Sequence, residues 1–148
     1  MSTLKTTWKG LKQGQGNIRG SHLDVPIAIP EAFGGAGCGA NPKDMLKASA
    51  ASCLVMTLAI MLESRNIGAD DINVSTDITG ETPRNLHISH SVVISLPTGT
   101  TAEQEDKARK LIPTADLACM IGNLLRAAGV QISVSGNVSQ TGSESEGI

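Results

Sequence analysis

Three cysteines, Cys38, Cys53 and Cys119, are the residues of this sequence best suited to covalent chemistry. Their odd number, with spacings too wide for a CxxC motif, indicates thiols that stay reduced in a cytoplasmic setting. A thiol that ionises is a nucleophile, which can react with peroxides and disulfides. A buried cysteine can equally be a small apolar side chain. Position alone leaves two-thiol redox chemistry and simple packing both open.

Cys53 and Cys119 occupy unusual positions on their predicted helices. Cys53 shares a helix face with Ser49 and Thr57, and such a stripe of small polar groups is odd in an otherwise apolar helix. Cys119 is predicted near the start of a helix, opposite its apolar stripe, where the helix dipole favours a thiolate. That stripe comprises Leu117, Ile121, Leu124 and Ala128. Cys38 lies in a glycine-rich loop without a partner nearby, and we interpret it as incidental.

Other motifs give weaker indications. Gly35, Gly37 and Ala40 match a loose dinucleotide fingerprint, but no strand leads directly into the loop and no acidic residue follows at the ribose-binding spacing. His87 and His90 lie an odd number of residues apart on a predicted strand, so they face opposite sides and do not form one metal site. No serine has the flanking residues of a nucleophile elbow. We therefore predict no metal and no bound cofactor.

The elements that position the cysteines follow the order βββ-α-ββ-αα-β, which is an α+β fold. Alternating apolar residues predict strands, and apolar residues at helical spacing predict helices. Strands are predicted over the first thirty residues, including 3–11 and 22–29, and over 71–79, 86–96 and 130–138. Helices are predicted over 42–66, 102–112 and 115–128. Strands adjacent in the sequence are expected to pair antiparallel.

Capping residues set the predicted helix ends. Asn41 is a suitable N-cap for the first helix, and Gly68 is expected to end it. Thr101 begins a capping-box pattern at the second helix. Pro113 is expected to break that helix, and Thr114 to cap a new one.

The first helix is apolar or small on every side over residues 48–62, which predicts burial all round. A single domain of this size rarely surrounds one helix, so we expect a second copy of the chain to cover it. The stretch has fifteen residues, fewer than the roughly 20 that span a membrane, and the N-terminus lacks a signal-peptide core. The sequence therefore predicts a soluble protein with no membrane partner.

Composition narrows the possible partners further. The 148 residues include 12 Lys and Arg against 14 Asp and Glu, for a net charge of -2, and the aromatic residues are only Trp8 and Phe33. Nucleic acid is therefore not expected as a partner. The length suits one domain, predicted over residues 1–138, with a disordered polar tail over 139–148.

One segment carries a recognisable pattern. The stretch IPEAFGGAGCGANPKDMLKASAASC combines a glycine-rich run with G-A-N-P and places Cys53 eleven positions after Pro42. Cys119 follows within ADLACMIGNLLRAAGV, and the NV of SVSGNV closes the pattern. From Trp8 to Val138 the chain resembles the OsmC/Ohr family of hydroperoxide peroxidases, whose signature has these features.

This resemblance implies an OsmC-like fold, in which antiparallel sheets wrap a long central helix, and an intertwined homodimer. It implies a thiol peroxidase that detoxifies organic hydroperoxides during oxidative stress. Cys53 would be the peroxidatic residue, oxidised to a sulfenic acid, and Cys119 the resolving residue, which forms a disulfide with it. A small dithiol of the lipoyl type, or a lipoylated protein, would reduce the disulfide, and no metal, haem or flavin would take part.

The chain differs from the family pattern at two positions. The family's thiolate-stabilising arginine corresponds to Lys12 in GLKQG, so either Lys12 or the nearby Arg19 would supply the cation. Lys43 stands where the family has a glutamate. These differences keep two alternatives open, namely a non-catalytic stress-response or small-molecule-binding protein of this fold and a dithiol redox sensor.

Overall fold

The first three strands pair in chain order into one antiparallel sheet. The computed structural model describes residues 3–141 and divides between Leu46 and Lys47 into two compact units. In the first unit lie β1 (Lys5–Lys9), β2 (Gln15–Arg19) and β3 (Asp24–Ile27). β3 is at the edge of this sheet, where Pro26 is tolerated because it lacks the amide hydrogen that a central strand donates.

Helix α1 (Pro42–Ser64) begins as predicted. The Asn41 side chain accepts a hydrogen bond from the Asp44 N–H at 3.0 Å, and the Asp44 carboxylate accepts one from the Asn41 N–H at 3.1 Å. The predicted end at Gly68 is wrong. Asn66 has a φ of 56°, and the Ile67 N–H donates to the Leu62 carbonyl at 3.0 Å. This left-handed cap therefore ends the helix before the chain reaches the glycine.

Within a single chain α1 is not buried all round, and the expectation that a second copy covers the rest of the helix stays a prediction. One face is buried, through Ala50, Leu54, Leu58 and Leu62. On the opposite face Met56 is 64% exposed and Ile60 is 68% exposed. The whole helix is longer than the uncharged stretch, and its length and apolar composition match those of a membrane span. Core helices of soluble proteins meet the same criterion.

The second sheet is mixed. It comprises β4 (Asp71–Thr79), β5 (His87–Leu96) and β6 (Gln131–Gln140), in that order. β4 and β5 pair antiparallel, but β5 and β6 pair parallel, with His87 opposite Gln131 and Leu96 opposite Gln140. The prediction of purely antiparallel pairing is therefore wrong here, because two intervening helices return the chain to the same end of the sheet.

The ordered chain extends further than predicted. Ser139 and Gln140, assigned from the sequence to the tail, pair with β5 as the last residues of β6. Thr141 follows them, and its N–H donates to the Leu96 carbonyl at 2.7 Å. The rest of the predicted tail, 142–148, lies outside the described residues. The range predicted as one domain, 1–138, comprises the two units.

The helices α2 (Ala102–Ala118) and α3 (Met120–Ala127) divide at a different residue from the one predicted. Thr101 caps α2 as expected, by accepting from the Gln104 N–H at 3.2 Å. Pro113 lies inside α2, on its exposed face, where water can replace the amide donor that proline lacks. Thr114 is not a cap, since its hydroxyl donates to the Lys110 carbonyl at 3.1 Å. The break falls instead at Cys119.

The core of the second unit lies between the sheet and the two long helices. α1 contributes its leucine face, β5 the alternate residues that point to that side, and α2 its buried stripe. The buried residues of this core include Leu54, Leu58, Val92, Ile94, Leu96, Leu111 and Ile112. This packing holds the middle of α1 beside the end of α2, which carry Cys53 and Cys119 respectively.

Candidate active site

Cys53 lies in the middle of α1, between the buried and exposed faces of that helix. It is half-buried, with buried Leu54 next to it in the sequence and exposed Met56 less than one turn away. The hydroxyl of Thr57, one turn along, donates to the Cys53 carbonyl at 2.7 Å. The Ser49, Cys53 and Thr57 stripe therefore runs along the boundary of the core, where a thiol is held by packing and still accessible.

Cys119 is the N-cap of α3 and is only 2% exposed. Its backbone is extended, with φ -72° and ψ 115°, which interrupts the helix after Ala118. Its sulfur accepts a hydrogen bond from the Gly122 N–H at 3.4 Å. The predicted orientation is wrong, because the break redirects the following turns. Cys119 is buried, whereas Leu117 and Leu124 of the predicted core stripe are exposed.

The second unit brings these two reduced thiols together. The two thiols interact, and hydrogen bonding between them lowers the pKa of Cys53 and raises the pKa of Cys119. The backbone N–H groups of Met120 and Ile121 also lie within hydrogen-bonding reach of the Cys53 sulfur. These are the first two residues of α3, so the Cys53 sulfur meets the positive end of that helix.

This arrangement lowers the pKa of the Cys53 thiol. Burial alone raises the pKa of Cys53, because it penalises the thiolate. The hydrogen bonds from Cys119, Ile121, Met120 and Thr57 together outweigh burial, so the net pKa lies below the ordinary value of a thiol. Cys53 is thus the more nucleophilic sulfur of the pair.

The pKa of Cys119 moves in the opposite direction. Burial raises it most, and hydrogen bonding with Cys53 raises it further. The amides of Gly122 and Ile121 lower the pKa of Cys119 but do not compensate. The sequence-based expectation that the helix dipole makes Cys119 a thiolate is therefore wrong, because the first amides of α3 and the shared proton favour the Cys53 anion.

Comparison with known proteins identifies the architecture that carries this pair. Residues 34–135 match the family model described as OsmC-like protein. The chain belongs to the OsmC-like protein family. Among its sequence relatives is the Bacillus subtilis (strain 168) protein YmaD, 29% identical over 127 residues that cover 83% of this chain and 85% of YmaD.

Solved structures share the fold of this OsmC-like protein. One is an osmotic stress induced and detoxification response protein from Psychrobacter arcticus 273-4, with a TM-score of 0.74 and 18% identity, covering 93% of this chain and 96% of that one. Another is the organic hydroperoxide resistance protein OhrB of Bacillus subtilis, with a TM-score of 0.60 and 24% identity. The match covers 91% of this chain and 98% of the OhrB chain. The predicted family and its mixed α+β fold are confirmed.

The remaining predicted residues of this OsmC-like protein lie in the first unit. Lys12 is in the turn between β1 and β2, and its side chain packs over Gly34. Arg19 forms an exposed ion pair with Asp24 at 3.4 Å. Lys43 is half-buried in the first turn of α1. Stabilisation of a thiolate by Lys12 or Arg19 stays a prediction.

Cys38 is exposed in the glycine-rich loop, and its thiol lies 3.2 Å from the Gln15 side-chain oxygen, to which it donates. Its incidental role also stays a prediction. Within residues 3–141, no cluster of three or more His, Cys, Asp or Glu side chains is arranged to hold a metal ion.

Three polar residues beside the site were missed by sequence reasoning. His90, considered from the sequence only as a metal ligand, is buried, and its Nδ1 lies 2.8 Å from the Thr76 hydroxyl. Asp116 is also buried, and its carboxylate pairs with the Arg126 guanidinium at 2.6 Å. No local pattern in the sequence signals these contacts, because each joins residues on different elements.

Proposed function

We propose that this OsmC-like protein is a thiol peroxidase that reduces organic hydroperoxides, with Cys53 as the peroxidatic and Cys119 as the resolving cysteine. The observation that carries the proposal is the contact between the two thiols, with the pKa lowered at Cys53 and raised at Cys119. A thiolate beside a protonated thiol suits a reaction in which the first sulfur attacks and the second follows.

The reaction balances with these two residues and an external dithiol. The Cys53 thiolate attacks the terminal oxygen of the hydroperoxide, the O–O bond breaks, and the alkoxide leaves and is protonated to an alcohol. Cys53 becomes a sulfenic acid. The Cys119 sulfur then attacks the Cys53 sulfur, the S–O bond breaks, and water leaves with the Cys119 proton. A lipoyl-type dithiol, or a lipoylated protein, reduces the resulting disulfide by thiol–disulfide exchange.

An apolar substrate agrees with the side chains around Cys119. Leu117, Met120 and Leu124 are all large, apolar and exposed, within two helical turns of that residue. Such a surface favours an alkyl hydroperoxide over hydrogen peroxide, because the alkyl group removes apolar area from water. The structural likeness to an organic hydroperoxide resistance protein supports the same substrate class.

We further propose that the protein acts in the cytoplasm as a homodimer. The exposed face of α1 includes Ser52, Met56, Ala59 and Ile60. This face combines small residues, which permit close approach of a second backbone, with large apolar ones that a second copy would remove from water. The family resemblance supports a homodimer built around this helix.

A coupled assay with cumene hydroperoxide and dihydrolipoamide tests the activity. We expect Cys53→Ser to abolish turnover, and Cys119→Ser to lose multiple turnovers while still consuming about one equivalent of peroxide. Cys38→Ser is the matched control and should retain the wild-type rate. Wild-type turnover in Cys53→Ser would disprove the proposal. Rapid disulfide formation without turnover would instead indicate a dithiol sensor.

A further inference from the structure

Side chains of α3 cap the carbonyl end of α2 across the break at Cys119. Arg126 donates from one guanidinium nitrogen to the Asp116 carbonyl at 3.3 Å and from another to the Asp116 carboxylate at 2.6 Å. Asn123 donates from its amide nitrogen to the Leu117 carbonyl at 2.8 Å. The last carbonyls of a helix lack their usual partners within it. The Asp116 carbonyl also accepts from the Cys119 N–H at 3.3 Å, and the donors from α3 add to this bond and supply a partner for the Leu117 carbonyl.

The three side chains form one connected network. The same Arg126 nitrogen that donates to the Asp116 carbonyl also donates to the Asn123 side-chain oxygen at 3.2 Å. The Asn123 N–H in turn donates to the Cys119 carbonyl at 2.9 Å. Because the network contacts Asp116 and Leu117 before the break and the carbonyl of Cys119 itself, it restrains the backbone on each side of the thiol.

Burial distinguishes this ion pair from others on α2. The side chains of Asp116 and Arg126 are 11% and 27% exposed. By contrast, Asp106 pairs with Arg109 and Lys110 on the open surface of the same helix. Exposed pairs within one helix contribute little, whereas a half-buried arginine that donates both to a carboxylate and to a backbone carbonyl restrains the two segments that it joins.

We infer that Arg126, together with Asp116 and Asn123, positions Cys119 for disulfide formation with Cys53. This inference rests on the proposed function in that it concerns the resolving step of the same site. Arg126 is a positioning residue and not a catalytic one, since its contacts are with Asp116 and Asn123. Its role is to keep the break between α2 and α3 at Cys119, so that the Cys119 sulfur stays directed at Cys53.

Loss of the network allows the break to move. Without the donors from α3, the Leu117 carbonyl loses its side-chain partner, which favours either continuation of the helix through Cys119 or fraying of the helix end into water. Either change displaces the Cys119 sulfur from Cys53, which lies in the middle of the polar stripe of α1. Because displacements of about 1 Å can slow a reaction between held groups roughly 100-fold, the resolving step should be the sensitive one.

Diamide tests this inference without requiring peroxidase activity. It adds to the Cys53 thiolate, and the Cys119 sulfur then displaces the hydrazine, leaving a disulfide. All proteins carry Cys38→Ser, so that only this pair reacts. Disulfide formation is measured by quenching and mass spectrometry. The alkylation rate of Cys53 by iodoacetamide is measured in parallel, because Cys53 reactivity alone should change much less.

We expect Arg126→Met and the double variant D116N/R126M to slow disulfide formation by roughly 10- to 100-fold. The double variant leaves no unpaired buried charge, and circular dichroism verifies that it is folded. Arg126→Lys should restore part of the rate, because lysine keeps the charge but loses the fork that reaches two acceptors. Arg109→Met, which removes an exposed ion pair from α2, is the control and should match the wild type.

Wild-type disulfide rates in the folded double variant would overturn the inference. If that variant does not fold, Asn123→Ala takes its place as the deciding variant, because it leaves the ion pair intact and removes the donor to the Leu117 carbonyl. A wild-type rate there overturns the inference, and a slower rate supports it. Failure of the proposed function is separate, because diamide still forms the disulfide in a protein that does not reduce hydroperoxides.

Discussion

The Cys53 and Cys119 thiols interact, and hydrogen bonding between them lowers the pKa of Cys53 while it raises the pKa of Cys119. Burial raises the pKa of both thiols, so only hydrogen bonding explains why the net shift of Cys53 is downward. The hydrogen bonding between the thiols, together with the first amides of α3, assigns the anion to the half-buried Cys53. The more deeply buried Cys119 keeps its proton until the first sulfur is oxidised.

Replacement of Cys119 by alanine should make Cys53 less reactive. The variant loses a hydrogen bond to the thiolate, so the pKa of Cys53 rises and the alkylation rate at pH 7 falls by about tenfold, the order expected for a hydrogen bond to a charged group. The pH dependence of alkylation by iodoacetamide, in a Cys38→Ser background, measures this. Cys119→Ser retains a hydroxyl donor, so the pKa of Cys53 in that variant should lie between its values in the wild type and in Cys119→Ala. If the alkylation profile of Cys119→Ala has the same midpoint pH as that of the wild type, Cys119 does not lower the pKa of Cys53.

Thr57→Val should also raise the pKa of Cys53, by less than Cys119→Ala. Of the hydrogen bonds that lower the pKa of Cys53, the one from the Thr57 hydroxyl contributes least. The effect is small because the hydroxyl has a single proton, which it also donates to the Cys53 carbonyl. The same alkylation profile provides the measurement. Ser64→Ala removes a comparable hydroxyl, which donates to the Met61 carbonyl on the same helix, and serves as the control. Equal shifts in both variants would exclude a specific effect of Thr57.

His90 should make the stability of the protein dependent on pH below neutrality. Burial lowers its pKa most, nearby Asp116 opposes this and Arg126 adds to it, so the folded state favours neutral imidazole. The unfolded chain binds the proton near the ordinary value of 6.5. The free energy of unfolding therefore carries the full contribution of His90 above that pH and loses it as the pH falls.

Urea denaturation of His90→Gln at several pH values between 7 and 5 tests this expectation. The variant should lose stability less steeply than the wild type as the pH falls, because glutamine does not titrate. His87→Gln, on the opposite face of β5, is the control. If the free energy of unfolding of His90→Gln falls with pH as steeply as that of the wild type, His90 is not the group that causes the pH dependence.

Lysine substitutions on the exposed face of α1 should dissociate the proposed homodimer into monomers. Met56→Lys and Ile60→Lys each place an ammonium group where a second copy would bury an apolar side chain, so the dissociation constant should rise by at least about tenfold. Analytical ultracentrifugation over a range of concentrations measures it. Ser64→Lys, at the end of the same helix, should leave the association unchanged. A wild type that sediments as a monomer at all concentrations would contradict the dimer.

Local interactions made much of this fold predictable. The start of α1 depends on Asn41 and Asp44, three residues apart, and the cap of α2 depends on Thr101 and Gln104 at the same spacing. Such hydrogen bonds form between neighbours in the chain whatever surrounds them. Strand alternation is local in the same sense, which explains why the predicted bounds of β4 and β5 agree with the structure nearly to the residue. The family signature, too, is readable from the order of residues around Cys53.

Tertiary structure decided what depends on distant residues. Local criteria favour Thr114 as the helix cap. The break falls instead at the buried Cys119, where the Asp116–Arg126 pair joins α2 to α3. The parallel pairing of β5 with β6 required the path of two helices. The pKa difference between Cys53 and Cys119 arises only when α1 and α3 meet. Sequence by itself determined the elements and named the two thiols. Which thiol ionises is settled by packing, because burial and hydrogen bonding act through space between groups far apart in the chain.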